Sequence, residues 1–64
     1  MDFAKRLKEA RINAGLSQLQ AAQKASVNVR QWQFYESGKR LPSVLIGRHI
    51  ADALGVSLDW LTSD

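Results

Sequence analysis

The apolar positions of this chain recur at helical spacing. Phe3, Leu7, Ala10 and Ala14 fall every three or four residues and line one face of a helix near Phe3 to Ala14. Asp2 stands where an N-cap belongs, and Gly15 where the backbone turns left-handed at a helix end. Ser17 and Gln20 have the Ser-x-x-Gln spacing of a capping box and open a second helix that runs to about Ala25. Asn28 and Gln31 repeat that spacing for a third helix, about 28–37, which Gly38 ends. Pro42-Ser43 opens a fourth, with Ser43 as N-cap and Gly55 as its stop, and Ser57 caps a short fifth carrying Leu58, Trp60 and Leu61. No segment alternates polar and apolar residues as a half-buried strand does. The pattern predicts an all-α fold of about five helices, with residues 1–64 forming one domain.

Within this pattern, residues 16–43 hold two short capped helices that meet at a tight turn and are followed by a basic loop. That is the layout of a helix-turn-helix that reads the major groove of DNA. Charge points the same way. The net charge is +3, and all nine Lys and Arg lie in the first 48 residues, where the acids are Asp2, Glu9 and Glu36; from His49 onward there are Asp52, Asp59 and Asp64 and no Lys or Arg. A basic body with an acidic end fits a polyanionic partner on one side.

Composition narrows the function classes. With no cysteine, neither a disulfide nor a thiolate zinc site is available, so apolar packing by the 45% hydrophobic residues must hold the fold. No apolar run approaches the roughly 18 residues of a membrane span, and Met1-Asp2-Phe3-Ala4-Lys5 lacks a signal-peptide pattern; a cytoplasmic location is expected. The one histidine, His49, sits beside apolar positions without a catalytic triad, carboxylate pair, metal cluster or phosphate-cradling glycine loop. No catalysis, cofactor, metal or small-molecule ligand is expected.

Four motifs sharpen the reading: Arg-Leu-Lys-Glu-Ala-Arg at 6–11, Gly-Leu-Ser-Gln at 15–18, Glu-Ser-Gly-Lys-Arg-Leu-Pro-Ser at 36–43, and Ala-Leu-Gly-Val-Ser-Leu-Asp-Trp-Leu at 53–61. Together they resemble the Cro and cI-type helix-turn-helix domain of phage repressors and related bacterial regulators, over nearly the whole chain. The resemblance implies a compact five-helix, lambda-repressor-like domain that binds an operator as a symmetric dimer with the third helix in the major groove. It implies an ion pair of Arg11 with Glu36 that orients this helix, a backbone contact from Gln18, and dimer contacts near the last two helices, for which Val56, Leu58 and Trp60 are the candidates. The chain departs from the family at Ser26, where glycine is usual in the turn, at Ala21, usually leucine, and at Trp32, usually aliphatic. Small residues at Ala21, Ala22 and Ala25 are read as making room for the Trp32 indole. Trp32, Tyr35, Val27, Leu7, Leu54 and Leu61 are expected in the core, with Ala22 at the crossing of the second and third helices.

A helix turns about 100° per residue. With Trp32 inward, Asn28, Tyr35 and Glu36 share its side, Arg30 and Phe34 point away, Gln31, Gln33 and Ser37 flank them, and Val29 is placed at the exposed N-terminal end. Gln31 and Gln33 suit adenine edges, Arg30 suits guanine O6/N7 or alternatively a phosphate, Phe34 suits thymine methyls or sugars, and Val29 is a further base-contact candidate. Ser17 and Gln18, at the free N–H groups of the second helix, and Lys39 and Arg40, after the third, are the expected phosphate contacts. The alternative function is a protein-interaction module of the same fold, such as an antitoxin or adaptor. Both a Cro-like protein and the N-terminal domain of a longer repressor fit the chain.

Overall fold

A computed structural model describes residues 2–63 and contains five helices in the order α1 (Phe3–Asn13), α2 (Gln18–Lys24), α3 (Val29–Glu36), α4 (Val44–Leu54) and α5 (Leu58–Thr62). No strand occurs among the described residues. The helices begin where short polar side chains satisfy free N–H groups. Ser17 Oγ accepts from Gln20 N and Ser17 N donates in return to Gln20 Oε1, completing a capping box. Ser43 accepts from Ile46 N and Ser57 from Trp60 N. Gly55 closes α4 in the left-handed region at φ 69°.

Two expected caps differ. Asp2 makes no side-chain cap; its backbone, at φ −108° and ψ 47°, lacks the extended geometry of the other N-caps, and only its carbonyl accepts, from Arg6 N. Asn28 caps α3, but its oxygen takes the N–H of Arg30 rather than that of Gln31, so no capping box forms there.

The turn between α2 and α3 places Ser26 at φ 59°, a left-handed conformation that a side chain enters at a cost of about 1–2 kcal/mol. This turn crosses the two helices and drives Trp32 into the centre. The indole is completely buried, and Ala21, Ala22 and Ala25, the small residues expected to make room for it, are buried in the same core. Leu7, Tyr35, Leu54 and Leu61 complete the expected core, joined by Phe3, Ala10 and Ile50. Val27 is half-buried at the rim of that core instead of inside it.

Helix α5 closes the base. Arg6 donates to the Trp60 carbonyl at 2.6 Å and to Ser63 Oγ at 2.8 Å, while its guanidinium lies 5.2 Å from the centre of the Trp60 ring. Gly47 lets this helix come close: a Cβ there would meet Leu58 Cδ1 at 3.3 Å.

Candidate nucleic-acid interface

Helix α3 has one locked face and one open face. On the locked face, Glu36 is 4% exposed and Arg11 13%, yet both are charged. Burying a carboxylate is costly unless donors surround it. Arg11 Nε donates to Glu36 Oε2 at 2.7 Å and its second nitrogen, Nη2, to Oε1 at 3.3 Å. Gln18 Nε2 donates to Oε1 at 3.3 Å, and Trp32 Nε1 donates to Oε2. Arg11 also reaches the Leu16 carbonyl at 2.9 Å. The ion pair implied by the family resemblance is therefore the centre of a network that joins α1, the start of α2 and α3. Among the described residues, no buried side-chain nitrogen or oxygen lacks a partner.

The open face carries Arg30 and Gln33, both exposed, and Phe34 and Gln31, both half-buried. Phe34, an apolar residue on a polar face, supports the loop that follows. The Arg40 guanidinium lies 5.0 Å from the centre of its ring. Its carbonyl accepts from Lys39 N at 3.0 Å, from Arg40 N at 3.3 Å and from Ser37 Oγ at 3.1 Å. The basic loop thus folds back onto the same side of α3 as Arg30, with Lys39 and Arg40 exposed. Sequence reasoning treated the loop and the aromatic separately; six residues apart, they meet only because Gly38, at φ 80°, turns the chain.

Val29 corrects an expectation. It is half-buried and packs against the core. At 100° per residue it lies only about 60° around the helix from Trp32, so it belongs to the inner edge of the face. Gln18 is half-buried with its amide nitrogen on Glu36, while Ser17 is exposed and its hydroxyl oxygen serves as the cap. Of the residues nominated for self-association, Val56 and Leu58 are half-buried and pack on the core, whereas Trp60 is 37% exposed. Larger open apolar surface lies at Leu41, Val44 and Leu45, 63–74% exposed, which sequence reasoning did not single out.

Helix α3 thus has a buried network behind it and an exposed polar face with a basic loop in front. A helix-turn-helix family model matches residues 7–61, nearly the whole chain. The chain belongs to the helix-turn-helix family of the Cro and cI type. As such it is a DNA-binding helix-turn-helix regulator. No helix among the described residues is long and apolar enough to cross a membrane. Helix α2 is short, with Gln18 at its first position and Ala21 and Ala22 buried.

Proposed function

We propose that this helix-turn-helix protein is a sequence-specific repressor of transcription that binds a palindromic operator in double-stranded DNA as a homodimer, acting in the cytoplasm. The observation that carries the reading is the stacking of Arg40 on Phe34, which sets the basic loop beside the exposed Arg30 and Gln33. Base edges and phosphates are then within reach of one surface. Arg30 reads guanine by two parallel hydrogen bonds, Gln33 and Gln31 read adenine, and the open edge of Phe34 meets thymine methyls. Lys39, Arg40, Ser17 and Gln18 hold phosphates on either side.

One short helix reads few base pairs, and two-fold symmetry doubles the site, with half-sites about 10 base pairs apart. The pairing surface in this proposal is the open part of Trp60, Leu58 and Val56, extended by Leu41, Val44 and Leu45. Selection of duplexes from a random library tests the reading. An approximate palindrome is expected. Tight capture of a protein partner with no preferred duplex would favour an interaction module instead. On the selected duplex, Lys39→Ala weakens all sequences alike, whereas Arg30→Ala relaxes preference at one base pair by about 1–3 kcal/mol. A uniform loss from Arg30→Ala assigns Arg30 to phosphate.

A further inference from the structure

Trp32 and Glu36 are four residues apart on α3, so their side chains are neighbours one turn apart. A carboxylate only accepts hydrogen bonds and has about four lone-pair sites. Here the N–H groups of Trp32 Nε1, Arg11 Nε, Arg11 Nη2 and Gln18 Nε2 all converge on it. An aliphatic residue at position 32 would fill the core without supplying one of these donors. We propose that Trp32 is a positioning residue for DNA recognition: its indole N–H on Oε2 fixes the Glu36 carboxylate so that Oε1 holds Gln18 while Arg11 spans both oxygens. This rests on the DNA-binding reading above.

The consequence falls on Gln18. A glutamine amide turns over readily, since its terminal torsion has two comparable orientations. Because Glu36 accepts only, Gln18 must give it nitrogen, and the second N–H of the same nitrogen remains for an acceptor on the nucleic acid. Turned over, the amide presents oxygen, which a phosphate repels. The 3.3 Å bond from Gln18 is longer than the 2.7 Å bond from Arg11, so a carboxylate no longer pinned by the indole turns toward Arg11 and releases Gln18. The small residues of α2 thus admit a hydrogen-bond donor as well as an apolar plug.

The test replaces Trp32 by benzothienylalanine in a chemically synthesised chain, exchanging the indole N–H for sulfur at nearly constant shape. The probe is the duplex that the unmodified chain selects from a random library, at a temperature where circular dichroism shows both chains folded. Affinity should fall by on the order of tenfold, the range for a hydrogen bond to a charged group, and Gln18→Ala should then cost little more, although it weakens the unmodified chain. Unchanged affinity, or a Gln18→Ala loss as large as before, overturns the proposal and leaves Trp32 a core residue only. If no duplex is selected by the unmodified chain, the DNA-binding reading fails as well. Should the modified chain not fold, nuclear magnetic resonance of the unmodified one decides, with Trp60→Phe assigning the indole signals. The Trp32 indole proton should remain protected from exchange, and close to the Gln18 amide protons, in both free and DNA-bound protein. Loss of that protection in the complex overturns the proposal.

Discussion

Ser26 and Glu36 show what single residues contribute. Ser26 holds a left-handed turn at φ 59°. Glycine enters that region freely but gains freedom in the unfolded chain, so Ser26→Gly should raise stability by a net of about 0.5–1 kcal/mol; an unchanged or lower melting temperature would show the turn is not strained. Glu36→Ala leaves the Arg11 guanidinium and the Trp32 N–H without their shared acceptor. The expected loss is about 3 kcal/mol, read from urea unfolding, and a loss under about 1 kcal/mol would mean that water replaces the carboxylate. At this scale the chain was partly legible. The ion pair lay in motifs that belong together, and Ser26 in a turn whose position the flanking caps define. Val29 sits at an exposed-looking helix end, but its angle of about 60° from Trp32 turns it to the core edge. The Trp32 bond to Glu36 is four residues long and helical, yet nothing in residue type alone tells whether an indole points its nitrogen at a carboxylate or away from it.

The elements were legible because their ends carry chemistry. Ser17, Ser43 and Ser57 each take an N–H near a helix start, and Gly55 takes the left-handed end of α4. Asp2 looked the same in sequence, but a cap needs extended backbone, and only the fold reveals that it is absent there. Packing between elements was harder to read. The alanines of α2 announced a large partner, whereas Ile50, completely buried, went unnoticed because α4 was bounded by its caps without fixing its rotation. Trp32 is completely buried and is the largest fully buried side chain. Trp32→Ala should cost roughly 3–5 kcal/mol, which in so small a domain leaves much of the protein unfolded at 37 °C. A near-native melting temperature would mean that the three alanines collapse into the space.

The whole molecule measures 26 × 22 × 19 Å. Reading helices one helical turn of DNA apart are about 34 Å apart, so two such bodies can touch only over a small patch. Association without DNA should be weak, and adjacent half-sites should drive it. Leu41, Val44 and Leu45 are exposed enough that Val44→Asp should leave stability within about 0.5 kcal/mol. It should nevertheless reduce cooperative filling of a palindromic duplex while leaving single half-site affinity intact, as followed by sedimentation. Equal cooperativity would move the pairing surface elsewhere. Affinity should also fall steeply with salt, each neutralised phosphate adding about −0.9 to the log–log slope, and Lys39→Ala should flatten that slope by about one such step. At this scale the sequence shows where the basic residues lie, but not the open apolar surface, because exposure of Leu41 and Val44 depends on how the loop leaves α3.

That loop has a thermodynamic consequence. With the N–H groups of Lys39 and Arg40 and the Ser37 hydroxyl already on the Phe34 carbonyl, and the Arg40 guanidinium resting on the ring, little conformational freedom remains to be lost when DNA arrives. The arm is preorganised, and preorganised contacts retain more of their gross energy as affinity. Calorimetry on a half-site duplex should therefore show a heat-capacity change no larger than rigid surfaces burying their contact area require, without the added decrement of a segment that folds on binding.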